Sequence, residues 1–324
     1  MKNQCFGNAH TANMYVRAIP KTQSLIITSN KHLISNSHKG LEIQKNGFTF
    51  VINNNSRYID IQFDFIELLK KSRIDEKDSN KILDLLNSAM HEIHPFVFEP
   101  ILKRIDLRYD IVMQPDERQV FWELMTKTKE RIGKLYKLYG SSSSDKSLYY
   151  RGKEGRHNHG NLRINIYDKE QQLNSINSNI SSNEKNIIRF ELQFLNRHLN
   201  YNKYKYNINK VLNNYLSDDS RRSNFNKYII PIIYPGTYYK LSCAKKIIKS
   251  SGLTQSMKLK IIKLLVQCSQ TNIDETSKNY SVNTWNKYLG ILKDLDINPI
   301  TIPSKSQLDE LLNPLSNDYK NPII

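Results

Sequence analysis

Between residues 24 and 68 the chain alternates apolar and polar positions in short runs broken by Asn, Ser and Gly, which predicts strands at 24–28, 41–44, 48–53 and 58–65. From 79 to 93 the period changes. Ile82, Leu85, Leu86, Ala89, Met90 and Ile93 recur every three or four positions behind Asp78 and Ser79, which can cap, so a helix packed on that sheet is expected. A strand at 103–112 and a second helix over 115–137 follow. Past the polar run 140–146, strands at 148–151 and 161–168 flank a turn-prone stretch and are expected to form a hairpin. Residues 169–186, rich in Gln, Asn and Ser, read as a frayed helix or a loop, 187–195 restores strand alternation, and 196–214 is expected to be helical in part. Composition changes near 231–237, and helices are expected at 239–249, 254–270 and 281–295. The pattern is that of an α+β protein, mainly an antiparallel sheet with packed helices over 1–235, followed by a smaller helical C-terminal domain over 236–324.

Three of these strands carry one charged face each. In 104–111, alternation puts Arg104, Asp106, Arg108 and Asp110 on one side and Ile105, Leu107, Tyr109 and Ile111 on the other. The run 162–167 separates Leu162, Ile164 and Ile166 from Arg163, Asn165 and Tyr167, and 189–194 separates Phe190, Leu192 and Phe194 from Arg189, Glu191 and Gln193. A solvated sheet face often carries such residues in cross-strand pairs without doing chemistry. Two Asp four residues apart within one strand are less ordinary, because Asp is disfavoured there.

Charge narrows the functions available to such a face. Forty-eight Lys and Arg against 31 Asp and Glu give a net charge of +17, which points to a polyanionic partner, with nucleic acid ahead of a membrane surface. The 19 tyrosines include planar groups that can stack on unpaired bases, although half-buried sheet positions account for most of them. Cys5, Cys243 and Cys268 lie far apart in no metal-ligand spacing, which argues against a disulfide framework or a zinc site. No stretch approaches the roughly 20 apolar residues of a membrane span and residues 1–10 lack the order of a signal peptide, so a cytoplasmic protein is expected.

On a nucleic-acid enzyme, Tyr167 is the candidate nucleophile. A phenolate attacking phosphorus conserves the bond energy in a 5′-phosphotyrosyl end and frees a 3′-hydroxyl. Asp106, Asp110 and Glu191 are candidate oxygen ligands for a hard divalent cation, Mg²⁺ or Mn²⁺, that would polarise the phosphate. Arg163, Lys169 and Arg189 are candidate cations for lowering the tyrosine pKa and neutralising phosphate, with Lys169 favoured. Arg104, Arg108, Arg151, Arg163 and Arg189 are expected to contact DNA.

In the order Arg104, Asp106, Asp110, then Ile166-Tyr167-Asp168-Lys169, then Arg189-Phe190-Glu191, the sequence resembles the rolling-circle replication initiators of bacterial plasmids and the related gene II endonucleases of filamentous phages. The resemblance spans 58–198 and rests on motif order, each motif being short. It implies a metal-dependent nick at an origin, attachment to the 5′ end and later strand transfer in a bacterial cell. Origin DNA in double- and single-stranded form is then the partner, with a host helicase and a second copy of the chain as further candidates.

Several alternatives stand beside this one. His157 and His159 are a rival ligand pair, although Asn158 between them and their Gly- and Arg-rich surroundings suit a solvated hairpin tip. Tyr149 and Tyr150 are the fallback nucleophiles. The helix 283–294 after its polar turn has the order of a helix-turn-helix unit. A non-catalytic origin or operator binder and a single-stranded RNA binder are the competing functions. A tyrosine recombinase is disfavoured, because the candidate tyrosine ends a strand among acids.

Overall fold

The computed structural model describes residues 5–53, 57–71, 74–93, 99–139, 146–152, 161–175 and 185–313. Its elements are β1 (Cys5–Arg17), α1 (Pro20–Ser29), β2 (Ile34–Ser37), β3 (Gly40–Lys45), β4 (Phe48–Ile52), β5 (Tyr58–Asp64), α2 (Phe65–Leu69), α3 (Asp78–Ile93), β6 (Ile101–Val112) and α4 (Pro115–Thr126). There follow β7 (Arg131–Ile132), β8 (Leu135–Tyr139), β9 (Ser147–Gly152), β10 (Leu162–Asp168), α5 (Lys169–Ser175), β11 (Ile187–Leu195), α6 (Asn196–Tyr206), α7 (Asn213–Leu216), α8 (Asp218–Tyr228) and α9 (Ile230–Ile233). The C-terminal part comprises β12 (Tyr238–Tyr239), α10 (Leu241–Ser250), α11 (Gln255–Gln270), α12 (Ile273–Ser277), α13 (Val282–Asp294) and β13 (Glu310–Leu311).

Eleven strands form one sheet in the order β2-β3-β4-β5-β1-β6-β11-β10-β9-β8-β7. Every pairing in it is antiparallel. The fold is the expected α+β arrangement of antiparallel sheet, packed helices and helical C-terminal region.

The apolar half of each alternating strand faces the helices. On β6, Ile105, Leu107, Tyr109 and Ile111 are buried, and Tyr109 meets Phe225 of α8 with ring centroids 4.3 Å apart while its hydroxyl donates to Arg221 O at 2.6 Å. On β11, Phe190 meets Phe121 of α4, and Phe194 stacks on His198 of α6. At the other end of the sheet Ile26 of α1 and Met90 and Ile93 of α3 close over Val16, Phe50, Ile52 and Ile59. One apolar cluster runs from Ala9 to Leu311. Among the described residues no helix is long and apolar enough to cross a membrane.

The strands expected at 41–44, 48–53, 58–65, 103–112, 148–151, 161–168 and 187–195 all form, as do the helices at 79–93, 239–249, 254–270 and 281–295, within a residue or two at each end. Strands β9 and β10 pair antiparallel as the expected hairpin does. Residues 24–28 are not a strand. They belong to α1, which Pro20 opens at its first turn and whose inward positions are Gln23 and Ile26, three apart. The helix expected over 115–137 stops at Thr126, and β7 and β8 follow. Lys137 holds that ending in place, its buried ammonium donating to Thr126 O at 2.8 Å and Thr128 O at 3.1 Å. The long N-terminal strand β1, at the centre of the sheet, was not expected at all.

In the C-terminal part, Asn298 is fully buried and ties two segments, 233–236 and 298–300, together. Its amide donates to Ile233 O at 2.9 Å, Tyr234 O at 3.0 Å and Gly236 O at 3.3 Å, and its carbonyl oxygen accepts from Ile300 N at 2.9 Å. Gly236 has φ +96°, and a Cβ there would come within 2.7 Å of the Ile297 backbone, so a side chain is excluded where the two segments touch. Asn298→Ala leaves these groups buried and unpaired and is expected to cost about 2–3 kcal/mol. Urea titration checks this: the midpoint should fall with little change in slope.

Candidate active site on the polar face of the sheet

The three strands with charged faces are neighbours. In the register of β11 with β6, Arg189 lies opposite Asp110, Glu191 opposite Arg108 and Gln193 opposite Asp106. In the register of β10 with β11, Tyr167 lies opposite Arg189, Asn165 opposite Glu191 and Arg163 opposite Gln193. All project from the side away from Ile105, Ile164 and Phe190. The strand pattern therefore brings the sequence-predicted nucleophile and all three carboxylates to one surface.

Their contacts divide the set. The Tyr167 hydroxyl donates to Glu191 Oε2 at 3.1 Å, and Gln193 donates to Glu191 Oε1 at 2.5 Å. Asp110 receives both Nε and Nη2 of Arg189, at 2.6 and 2.9 Å, in a buried bidentate pair. Asp106 is held by Arg104 at 2.8 and 2.5 Å and by the Thr11 hydroxyl of β1 at 2.7 Å. Arg108 Nε lies 3.5 Å from Asp110. Asn165 Oδ1 and Ser147 Oγ, which flank Tyr167 on β10 and β9, are buried and have no hydrogen-bond partner among the described residues.

Burial dominates the electrostatics. Tyr167 is 9% exposed, and its pKa is raised above the ordinary value of 10 by burial and by the Glu191 carboxylate, against which Arg189 pulls downward. The expectation that nearby cations lower this pKa is thus reversed, because desolvation of a phenolate outweighs one guanidinium already paired to Asp110. Glu191 is also raised, first by burial and then by the charge of Asp106. The Tyr167 hydroxyl donates to Glu191, which is placed to accept its proton.

The other sequence-predicted residues fall into distinct places. Lys169 opens α5, where its ammonium donates to Gln172 Oε1 at 3.1 Å, and the cation that reaches the Tyr167 hydroxyl is Arg189. Arg108 and Arg189 are buried within the ion-pair network, whereas Arg151 is exposed over the Tyr149 ring, 4.6 Å from its centroid. Arg163 is half-buried, and its pKa is lowered by burial and by Arg151 and Arg104 beside it. Tyr150 points into the core and donates to Lys129 O at 2.7 Å, which removes it as a fallback nucleophile. His157 and His159 lie outside the described residues.

Three contributors had no legible signal in the chain. His10 sits in a β-bulge of β1, since Ala9 pairs with Leu107 and Thr11 with Asp106, leaving His10 unpaired between them. The bulge turns both His10 and Thr11 towards the charged face, and His10 Nδ1 approaches Asp64 of β5 at 3.1 Å. Arg118 of α4 grips Glu170 at 2.9 Å and Asp168 at 3.4 Å, pinning the end of β10 just after Tyr167.

Asp106, Asp110 and Glu191 are oxygen donors of the type a hard divalent cation takes, but Asp106 is chelated by Arg104 and Asp110 by Arg189, so neither fits a cation while its arginine stays in place, and both Glu191 oxygens accept hydrogen bonds. Among the described residues, no three His, Cys, Asp or Glu side chains come together as a metal-holding group.

No family model matches the chain, and no curated protein matches it. Among solved structures, it is similar to a rolling circle replication initiator protein from Geobacillus stearothermophilus, at 11% identity and a TM-score of 0.38, over 94% of this chain and 100% of that one. A likeness that distant assigns neither mechanism nor substrate.

Two outcomes follow from the ion pairs and the raised carboxyl. Asp110→Ala strands a buried guanidinium and is expected to cost about 3–5 kcal/mol. The double variant with Arg189→Met should be less destabilised than the sum of the single variants, as a thermodynamic cycle of urea midpoints would read. Glu191 has a raised folded-state pKa, so its contribution to stability is greatest below the ordinary carboxylate pKa of about 4 and is lost as pH rises through the folded value. In metal-free buffer Glu191→Gln should gain stability relative to the parent as pH rises from about 4 to 7, and a gap that stays flat would contradict this.

Proposed function

We propose that the protein cuts one DNA strand at an origin through a phosphotyrosine intermediate on Tyr167 and reseals it later, as the start and end of rolling-circle replication. The observation that carries this reading is the 3.1 Å hydrogen bond from the Tyr167 hydroxyl to Glu191, beside the Arg189 guanidinium, on a face shared with Asp106. Glu191 takes the phenolic proton, its raised pKa making it a stronger base than an ordinary carboxylate. The Tyr167 oxygen forms a bond to phosphorus, the bond to the 3′ oxygen breaks, and the leaving oxygen picks up a proton from solvent. Arg189 lies where it stabilises the developing phenolate charge. A divalent cation held by Asp106 and Glu191, with Arg104 displaced, would supply charge neutralisation at the phosphate and would itself lower the proton affinity of Glu191. The half-buried Arg163 and exposed Arg151 form a positive rim for the incoming strand.

A non-catalytic DNA-binding role is the second reading, favoured by Asp106 and Asp110 each being already neutralised by an arginine. Covalent chemistry separates the two. With labelled single-stranded origin DNA and Mg²⁺ or Mn²⁺, the parent should form an SDS-resistant adduct that Tyr167→Phe abolishes while DNA binding stays within about twofold. Binding without any adduct, under either metal, would leave the second reading standing.

A further inference from the structure

Tyr167, Glu191 and Arg189 stand at one end of the charged face. At the other end the bulge of β1 presents His10, whose Nδ1 lies 3.1 Å from Asp64 Oδ2. The Asp64 carboxylate is not free to swing. Its Oδ1 caps α2, accepting from Ile66 N at 2.7 Å and Glu67 N at 3.1 Å, so Oδ2 is held facing the imidazole. With Nδ1 turned to that carboxylate, Nε2 is the nitrogen left for proton exchange. The His10 side chain is 29% exposed, which lets solvent replenish the proton.

A diagonal row crosses five neighbouring strands: Asp64 on β5, His10 on β1, Arg108 on β6, Arg189 on β11 and Tyr167 on β10. Charges at both ends reach the middle, since Asp64 and Tyr167 each bear on Arg108. The His10 pKa is lowered from its ordinary value of 6.5, first by burial, with Asp64 of β5 opposing, Arg108 of β6 and Arg189 of β11 adding, and Asp106 of β6 opposing. A phosphodiester arriving beside the imidazole brings negative charge, which draws that pKa back up. Displacement at phosphorus sets the attacking and leaving oxygens on opposite sides. A phosphate lying over the two guanidinium groups with Tyr167 on one side therefore turns its 3′ oxygen towards His10.

We infer that His10, oriented by Asp64, is the general acid through which the solvent proton reaches the leaving 3′ oxygen. The inference rests on the nicking reading and adds a second proton-transfer group to it. As the Tyr167 oxygen bonds to phosphorus and the bond to the 3′ oxygen breaks, Nε2–H gives its proton to that oxygen, and the neutral imidazole regains one from solvent. Resealing runs the steps backwards. Nε2 takes the proton of the attacking 3′-hydroxyl, the new bond to phosphorus forms, and the Tyr167 phenolate leaves and recovers its proton from Glu191.

The test follows covalent adduct formation by the full chain in Mn²⁺ on two single-stranded origin oligonucleotides, one ordinary and one with sulfur in place of the scissile 3′ oxygen. A thiolate is far less basic than an alkoxide and leaves without a proton. His10→Ala should slow cleavage of the ordinary strand roughly 100-fold or more and cut the sulfur strand within about threefold of the parent. Asp64→Asn, which keeps a capping side chain on α2, should slow the ordinary strand about tenfold and likewise match the parent on the sulfur strand. Recovery on the sulfur strand in either variant supports the assignment, because a misfolded protein would cut neither strand. Equal loss on both strands in both variants, or an unchanged rate on the ordinary strand in His10→Ala, would overturn it. So would a defect in His10→Ala that raised Mn²⁺ cures on the ordinary strand, which would make His10 a metal ligand instead. A parent that forms no adduct on either strand fails the nicking reading itself, whereas a parent that does so while the variants behave as in the overturning outcomes fails this inference alone.

Discussion

The buried pair between Arg189 and Asp110 is the interaction on which the rest of the site depends. A guanidinium 2% exposed, with two nitrogens on one carboxylate, is tolerable only while that carboxylate stays in place. Because the two residues face each other across β11 and β6, slipping the register by one residue would bury charges against Phe121 and Phe225 instead. The same guanidinium reaches the Tyr167 hydroxyl. One ion pair thus specifies strand register, presents all the charged side chains on one surface and sets the potential around the candidate nucleophile.

This arrangement has a chemical cost and a chemical use. Burial raises the pKa of both Tyr167 and Glu191, so the resting site holds a poor nucleophile beside a carboxylate that, once ionised, is a stronger base than usual. An approaching phosphodiester would bring negative charge to a face where Arg104, Arg163 and Arg189 are already oriented, so little reorganisation is needed when charge develops. Asn165 Oδ1 and Ser147 Oγ beside Tyr167, without a hydrogen-bond partner among the described residues, are polar atoms that a bound group or water can satisfy. Fold and chemistry meet in the bulge at His10. By disturbing one strand it gives Thr11 to Asp106 and His10 to Asp64.

The central strands were legible because their alternation is unbroken. Residues 187–195 form β11 with those bounds, and the inward positions Phe190, Leu192 and Phe194 could be read directly. Strand β1 was hidden by the bulge at His10, which puts Ala9 and Ala12 on the same face despite their odd spacing. The run Leu25-Ile26-Ile27 is apolar, carries two β-branched residues and is strand-like, yet Pro20 and the docking of Ile26 against Val16 and Phe50 make it helix. Which carboxylate would meet which cation could not be read, because cross-strand pairing decides it. The register gave Arg189 to Asp110 and left Glu191 to Tyr167, whereas proximity in sequence had pointed to Lys169. The ends of α4 and the start of β8 depend on Lys137 reaching back to Thr126 and Thr128, a tertiary contact with no local motif.

The most direct test of Tyr167 as the attacking residue is peptide mass spectrometry of the protein after reaction with a single-stranded origin oligonucleotide and nuclease trimming. A residual nucleotide 5′-phosphate should be found on the peptide containing Tyr167, on the phenolic oxygen of that residue. Finding it on Tyr149 or another side chain, or finding strand cleavage with no nucleotide attached to any tyrosine, would contradict the assignment.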